Sequence, residues 1–205
     1  MVHDHLSSRL KDKVQILTLV KSEAAESYTW SPLASRWAAV EYDTSQNLFS
    51  RIGIGTRGVH VVLRMQPLTL HQALCWRDKH LFLTAIRDHD SEYLELEAAL
   101  VTVENCTAVR TEDTVGEGNR PVTAEAMRIA FPAVLTEKYI RYEREDTHDE
   151  TEQTYVLVTP KAILLQSGDL VTVQAGSAKG TYYVTAPHIL DEYKNEYEIV
   201  RRGDV

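Results

Sequence analysis

The segment Tyr93-Leu94-Glu95-Leu96-Glu97 decides the fold class, because apolar and acidic residues alternate along it. An alternation of period two places both leucines on one face of a β-strand and both glutamates on the other. Further β-rich segments occur throughout the chain, at Val14–Val20, Trp37–Tyr42, Val59–Arg64, His80–Ile86, Arg128–Phe131, Val134–Tyr142, Thr154–Thr159, Leu170–Gln174, Thr181–Ala186 and Glu196–Arg201. Short strands separated by turn signals are typical of sandwiches and small barrels, so the sequence predicts an all-β protein. Helical periodicity is weak, and Ser31–Ser35 and Val122–Ala126 are the best candidates for short helices.

The composition is typical of a soluble globular chain and argues against several classes of function. Among 205 residues, 43% are hydrophobic and 25% are charged, and the net charge is −8. An acidic chain without clustered Lys and Arg is a poor general nucleic-acid binder. No apolar run approaches the roughly 18 residues of a membrane helix, and the polar start predicts no secretory signal. Two cysteines, Cys75 and Cys106, cannot form a disulfide framework, which favours a reducing compartment.

The distribution of charge divides the chain into two halves. Residues 1–103 contain 11 basic and 12 acidic residues, whereas residues 104–205 contain 11 basic and 18 acidic residues. The segment 104–125 is polar and rich in turn residues, and it lacks an apolar period. We therefore predict a first β-barrel-like domain at 1–103, a linker at 104–125 and a second β-barrel-like domain at 126–205.

The order of sequence features in the first half recurs in the second. Trp37–Glu41 is matched by Tyr139–Glu143, Val61–Leu63 by Tyr155–Leu157, Leu81–Ala85 by Tyr182–Ala186, and Glu92–Leu96 by Asn195–Ile199. These matches predict two small antiparallel β-barrel-like domains related by duplication.

The segment Gly53-Ile54-Gly55-Thr56-Arg57-Gly58 matches the G-x-G-x-x-G pattern of dinucleotide-binding loops. In those proteins a helix follows the loop, because the helix N-terminus holds the pyrophosphate. Here the β-branched run Val59–Arg64 follows and predicts a strand. We therefore expect a flexible loop and no bound cofactor.

Side chains that could support metal binding or catalysis are scattered along the sequence. The eight histidines show no H-x-x-x-H spacing, and C-x-x-C spacing is absent. No G-x-S-x-G segment is present, and Cys75 lies in an apolar stretch where a small core residue is expected. The sequence therefore predicts neither a metal site nor an enzyme.

Two segments are candidate interaction loops. The first, 43–58, is long for a hairpin connection and carries Phe49, Ile52 and Ile54 beside Arg51 and Arg57. Apolar residues on such a loop either fold back onto the barrel or contact a partner. The second is the matching loop of the second half, and its acidic residues are Glu143, Glu145, Asp146, Asp149, Glu150 and Glu152. A solvated loop tip is the alternative interpretation of that acidic run.

The first half of the sequence resembles the head–tail adaptor or head-closure (stopper) proteins of tailed bacteriophages. The resemblance covers roughly residues 10–101 and depends on five segments in order. These are the opening strand Val14–Val20, which leads to Trp30; Trp37-Ala38-Ala39-Val40-Glu41, similar to the family's W-A-x-V-E strand; Val59–Arg64, similar to its φ-x-φ-R strand; Leu81–Ile86; and Glu92–Ala98.

This resemblance implies a small β-barrel that assembles as a ring of roughly six or twelve copies below the portal, closes the DNA channel and docks the tail. The implied partners are further copies of the chain, a portal or adaptor protein, and a tail terminator or tail tube protein. Packaged DNA would pass without tight binding. The implied location is the virion, after assembly in the cytoplasm of the host bacterium, with no membrane contact. In the family the long loop after the W-A-x-V-E strand points toward the channel, which assigns channel closure here to Phe49, Arg51, Ile52, Ile54 and Arg57.

Two other functions remain open at the level of sequence. Within the same class, the chain could be a tail terminator or tail completion protein. From a different class, it could be an intracellular β-barrel binding module that uses the glycine-rich loop. A nucleotide-binding measurement separates the last case, because the G-x-G-x-x-G segment would then bind a phosphate ligand.

Replacement of the six acidic residues in 143–152 by Gln is expected to increase the retention of DNA by assembled rings. A channel that releases DNA must avoid the affinity gained by neutralising phosphates, and an acidic rim repels phosphates. DNA binding by the rings and ejection by particles provide the measurement. Unchanged binding and ejection would contradict the assignment of this segment to the channel.

Overall fold

The computed structural model describes residues 6–43, 57–115, 121–137, 154–176 and 178–203. Within these ranges a short helix, α1 (Leu6–Arg9), precedes twelve strands. The strands are β1 (Asp12–Ser22), β2 (Ser27–Tyr42), β3 (Arg57–Arg64), β4 (Ala73–Trp76), β5 (Lys79–Asp88), β6 (Tyr93–Val101), β7 (Glu104–Val115), β8 (Pro121–Glu137), β9 (Thr154–Pro160), β10 (Leu170–Val173), β11 (Gly180–His188) and β12 (Lys194–Arg201). The all-β fold class predicted from the sequence is confirmed.

The first of two compact units comprises Met1–Val20 and Trp30–Thr102. Its strands are hydrogen-bonded in the order β1-β4-β5-β6-β3-β2, and β2 pairs in turn with β1. Each strand therefore has a partner on both sides, and the pairings form a closed circle. The pairings from β1 through β4, β5, β6 and β3 to β2 are antiparallel, with Val14 opposite Trp76 and Val61 opposite Leu96. Such closure satisfies backbone N–H and C=O groups inside the sheet.

The second unit comprises Lys21–Thr29 and Val103–Val205 and repeats this arrangement. Its strands are ordered β8-β7-β10-β11-β12-β9, and β9 pairs with β8 to complete the circle. The strands of the first unit, counted from β1 to β6, correspond one by one to β7 to β12. Both units thus share one topology, as expected for a duplication.

The tip of the β1–β2 hairpin belongs to the second unit rather than the first. Ser27 lies opposite Ala130 of β8 in a parallel pairing, and the Ala130 N–H donates to the Glu26 carbonyl at 3.1 Å. Tyr28 packs against the core of the second unit. Residues 21–29, which the sequence placed in the first domain, thus complete the second one.

Each unit encloses its own apolar core, because inward and outward side chains alternate along the strands. The buried side chains of the first core are Val14, Ile16, Ala38, Val59, Val61, Leu63, Leu74, Trp76, Leu81, Leu83, Leu94, Leu96 and Ala98. Those of the second core are Cys106, Ala108, Phe131, Ala133, Leu157, Ile163, Leu165, Val171, Val173, Tyr182, Val184, Tyr197 and Ile199. The buried cluster of the second core contains three aromatic side chains, Phe131, Tyr182 and Tyr197, whereas that of the first contains Trp76.

Turn chemistry also repeats between the units. The Asp90 carboxylate accepts the Glu92 and Tyr93 N–H groups before β6 at 2.7 and 2.9 Å. Asp191 accepts the Tyr193 and Lys194 N–H groups before β12 in the same way, at 2.8 and 3.1 Å. Aspartate favours such positions because its short side chain caps the backbone two and three residues ahead. Asp90 and Asp191 therefore occupy equivalent positions.

Two of the sequence matches between the halves are wrong by two residues. If Asp90 corresponds to Asp191, Leu96 corresponds to Tyr197 and not to Ile199. The strand partners of these residues, Val61 and Leu157, then also correspond. A shift of two residues keeps every side chain on its face of the strand, so an alternating pattern does not reveal the error.

The predicted linker at 104–125 is wrong. Glu104–Val115 forms β7, and Pro121–Glu137 forms β8, which pairs with β7 along nearly its whole length. Both proposed short helices are wrong too, because Ser31–Ser35 lies in β2 and Val122–Ala126 lies in β8. These segments lack an apolar period, yet backbone pairing places them in the sheet, since tertiary context overrides weak local preference.

A buried ion pair connects β7 to the segment before β10. Arg110 donates from Nε and Nη2 to the two Asp169 carboxylate oxygens, both at 2.7 Å. The Asp169 side chain is 2% exposed and also accepts the Gln166 N–H at 2.7 Å. Hydrogen bonding to Asp169 raises the pKa of Arg110, so the pair stays ionised.

The substitution Asp169→Ala is expected to destabilise the protein by about 3 kcal/mol, because it leaves the Arg110 guanidinium partly buried without its carboxylate. Chemical denaturation measures the change. A matched control is Glu125→Gln, which breaks the other bidentate pair, between Glu125 and Arg128, on the exposed surface. Exposed pairs contribute little, so equal losses in the two variants would contradict the structural role of Asp169.

Candidate functional site

The predicted closure and acidic residues fall largely outside the described ranges. Arg57 is described: it is the first residue of β3, it is exposed, and it lies opposite Leu100 of β6. The other four closure residues, Phe49, Arg51, Ile52 and Ile54, lie outside the described residues. The six acidic residues of 143–152 also lie outside them. What the structure provides is the geometry at the bases of both segments.

At the base of the segment 43–58, the end of β2 lies close to the start of β3. Tyr42 of β2 lies opposite Val59 of β3, and the Asp43 N–H donates to the Gly58 carbonyl at 2.9 Å. A Cβ atom on Gly58 would lie 3.0 Å from the Asp43 Cβ, so the chain runs closely past itself here. Glycine permits that approach. The chain therefore leaves β2 and re-enters β3 at neighbouring points.

The base of the second segment has the same place in the topology. Glu137, the last residue of β8, lies opposite Tyr155 near the start of β9. Since β8 and β9 correspond to β2 and β3, both long connections extend from the same hairpin of their units. Connections of this length are uncommon unless they serve function.

A cluster of titratable side chains lies on the outer face of the first unit. His60 Nε2 lies 2.6 Å from Glu95 Oε1, and His89 Nδ1 lies 3.4 Å from Glu95 Oε2. These hydrogen bonds, that of His60 foremost, lower the pKa of Glu95. The neighbouring Glu97 instead pairs with Arg87 at 2.9 Å. The carboxylates of Glu95 and Glu97 are therefore both paired with neighbouring side chains of the same unit.

Burial keeps both cysteines and His80 in their neutral forms near pH 7. Burial raises the pKa of the Cys106 thiol to about 12 and also raises the pKa of Cys75. Burial lowers the pKa of His80 to about 4, and its ring lies 5.4 Å from that of Trp30. Thiols of raised pKa are poor nucleophiles at neutral pH. Cys75, which we expected in the core, is only half-buried.

No group of three or more His, Cys, Asp or Glu side chains that could hold a metal ion occurs among the described residues. Among the same residues, no helix is long and apolar enough to cross a membrane.

Sequence reasoning missed the exposed apolar side chains. In the first unit, Leu33 and Trp37 of β2 are 62% and 61% exposed. In the second unit, Leu164 is 61% exposed, Ile189 is 47% exposed and Leu190 is fully exposed. The available signal was the pair Ile189-Leu190 just before the turn residue Asp191, where solvated turns usually carry polar residues.

Comparison with known proteins identifies no family. No protein family model matches the sequence, and no curated protein matches it. Among solved structures, the chain is similar to protein SF1141 of Shigella flexneri 2a, whose structure was determined in solution. The two share 20% identity over 45% of this chain and 93% of that chain, with a TM-score of 0.37.

The substitution Glu95→Gln is expected to destabilise the protein at pH 7 by about 0.5 kcal/mol, the size of a partly exposed ion pair. A carboxyl group whose pKa is lower in the folded state stabilises the fold above its unfolded pKa, and this contribution is lost as the pH falls through the folded pKa. The difference between the variant and the natural protein should therefore be complete above the ordinary pKa of a glutamate, about 4.3, and should disappear as the pH falls through the lowered pKa of Glu95. Thermal unfolding of the variant and of the natural protein across pH provides the measurement. A difference that persists in acid would contradict this role of Glu95.

Proposed function

We propose that this protein is a structural component of the head–tail connector of a tailed bacteriophage. It assembles as a ring below the portal, closes the DNA channel after packaging and offers a platform to the tail. The role involves no catalysis and no cofactor. The observation that supports it best is the repeated circle of strands, with a long connection extending from the same hairpin in each unit.

The elements that carry the resemblance to head-closure proteins occur as strands in the expected order. Val14–Val20 lies in β1, Trp37–Glu41 in β2 and Val59–Arg64 in β3. Leu81–Ile86 lies in β5, and most of Glu92–Ala98 lies in β6. The long connection leaves directly after the Trp37–Glu41 strand, where the resemblance assigns the channel loop. This order supports the proposal for the first unit.

The proposed mechanism is mechanical and electrostatic. Loops from several copies meet across the channel through Phe49, Ile52 and Ile54, flanked by Arg51 and Arg57. The acidic residues of 143–152 repel DNA phosphates at the rim, so that DNA is held by closure rather than by affinity. Release then requires movement of the loops and no loss of phosphate contacts.

The end of the glycine-rich segment leads into a strand, which does not favour a dinucleotide site. β3 begins at Arg57, inside the G-x-G-x-x-G pattern, and runs as a strand to Arg64. A dinucleotide site needs a helix N-terminus at this point to hold the pyrophosphate. The binding-module alternative therefore loses its main support.

The decisive experiment is electron microscopy of particles from a phage that carries a nonsense mutation in this gene. We expect tailless heads that have lost their DNA, together with free complete tails. Complementation with the intact gene should restore infectious particles and provides the control.

Other particle morphologies would contradict head closure. Stable, DNA-filled heads with tails of wrong length or defective ends would identify a tail terminator or completion protein instead. Normal particles would overturn the proposal as a whole and would favour the binding module.

A further inference from the structure

The β1–β2 hairpin adds a strand segment to the second unit. Its tip, residues 21–29, belongs to that unit, and Ser27 pairs in parallel with Ala130 of β8. The Ala130 N–H donates to the Glu26 carbonyl at 3.1 Å, and Tyr28 packs against the core of the unit. This contact is a strand addition within one chain, in which an extended segment pairs with the edge of a sheet.

The second unit carries a corresponding hairpin. β7 and β8 pair with each other as far as Val115 and Pro121. β10 pairs with β7 only as far as Val109, and β9 pairs with β8 only from Val134 onward. We call residues 111–115 and 121–126 the β7–β8 arm, whose two strands pair only with each other in the described part of the chain. Six of its side chains are exposed, namely Thr111, Glu112, Thr123, Ala124, Glu125 and Ala126.

The β7–β8 arm has the same place in its unit as the β1–β2 hairpin has in the first unit. The strands agree in length to within one residue, since β7 and β8 have 12 and 17 residues and β1 and β2 have 11 and 16. Pro121 begins β8 as Ser27 begins β2. The bridge at Ser27 uses the carbonyl of the preceding residue, so the missing N–H of Pro121 does not prevent an equivalent bridge.

The edge of β8 that receives Ser27 has a counterpart on β2. Val40 of β2 and Leu135 of β8 lie opposite residues of β3 and β9 that correspond to each other. Ser35 lies five residues before Val40, and Ala130 lies five residues before Leu135. Ser35 therefore occupies the place of Ala130.

This edge of β2 is open. β3 pairs with β2 only from Ala38 to Tyr42, and β8 pairs with it at Ser27. Between these pairings, β1 is the one strand neighbour of β2 in the described part of the chain. The Asp43 N–H donates toward β3, and backbone groups alternate in direction along a strand. Ser35, eight residues earlier, therefore presents its N–H and C=O groups to the open side.

Exposure differs between the two edges as an added strand would require. In the second unit Ala130 is half-buried and Pro132 is buried, whereas at the corresponding places in the first unit Ser35 is exposed and Trp37 is 61% exposed. The Ser35 carbonyl accepts a hydrogen bond from the exposed Arg36 side chain at 2.9 Å instead of one from a strand. An open edge that carries an exposed tryptophan is a template for strand addition.

We infer that the β7–β8 arm of one copy adds to the open edge of β2 in another copy of this chain, with Pro121 beside Ser35. The contact repeats between copies the addition that residues 26–28 make within one copy. Arm and edge are different surfaces of the same chain, so the contact continues from head to tail, as ring assembly requires. The inference rests on the proposed ring-forming function and names the contact through which the ring forms.

Sedimentation velocity of the purified chain, from micromolar to millimolar concentration, tests the contact. We expect association that increases with concentration, and we expect Ser35→Pro to weaken it by about tenfold, because proline removes a donor from the open edge. An edge strand accepts proline where the N–H faces solvent, so this variant should fold. Trp37→Lys keeps every backbone group of the edge and should weaken association in the same direction, because lysine protects edges from pairing.

Shortening the β7–β8 arm tests the other half of the contact. Glu112 lies opposite Ala124, so replacement of residues 113–123 by Asn-Gly joins these two opposed residues through a hairpin turn. We expect the shortened chain to fold, as unfolding curves would show, and to lose association with itself. Leu190→Lys is the control, because Leu190 is fully exposed but belongs to neither the arm nor the edge. Its association should equal that of the natural protein.

A mixing experiment identifies the two halves. The Ser35→Pro variant keeps its arm and the shortened chain keeps its edge, so their mixture should form a one-to-one dimer that grows no further. A mixture that remains monomeric, although each variant is folded, overturns the inference. Association of the shortened chain that equals that of the natural protein overturns it as well.

The outcomes separate this inference from the proposed function. A natural chain that stays monomeric at every concentration overturns the contact between arm and edge, whereas the nonsense-mutant particles alone judge the connector function. Defective particles combined with a monomeric chain would retain the connector and place its interface elsewhere. Normal particles combined with the expected association would retain the contact between copies and overturn the connector.

Discussion

Closure of the strand pairing is the constraint on which the rest of each unit depends. In a six-stranded circle every strand has two hydrogen-bonded neighbours, so β2 must reach β1 as well as β3, and β8 must reach β7 as well as β9. Inward positions are then fixed by alternation, and the enclosed side chains must fill a small space at native density. Variation is left to the connections between strands, which contain both long segments and the exposed residues Leu164, Ile189 and Leu190.

The two copies of the unit use different chemistry at one matched place in the core. In the first unit Leu63 lies opposite Leu94, and both are buried. The corresponding pair in the second unit is Thr159 opposite Asn195, also fully buried. The Asn195 side-chain amide donates to the Ile163 carbonyl in the segment before β10. Tyr197 Oη also donates to the Ile163 carbonyl, at 2.8 Å, and it accepts a hydrogen bond from the Leu165 N–H. Polar groups in this core therefore position a surface segment, which an apolar pair cannot do.

Sequence reasoning reached the fold class and most strands because β3, β5, β6, β11 and β12 carry alternating or β-branched residues. The prediction from sequence was wrong where backbone pairing with a neighbouring strand, and not the pattern of side chains, places a segment in the sheet. Thr111 and Glu112 of β7 are both exposed, so this part of the strand shows no alternation and was interpreted as a linker. β4 has only four residues and was missed. The contact between Lys161 and Ile189 was missed for a different reason: the two residues are 28 positions apart in sequence, and only the folded chain brings them together.

The β1–β2 hairpin tip, residues 21–29, belongs to the second unit, and this limits how the protein can be divided into fragments. The chain passes from one unit to the other three times, after Val20, after Thr29 and after Thr102. A fragment that ends at Thr102 retains Tyr28 without the core against which it packs, and a fragment that begins at Val103 lacks Tyr28 and the backbone partner of Ala130. A cut after Thr102 therefore removes residues 21–29 from the unit that they complete, so no single point in the chain separates the two units.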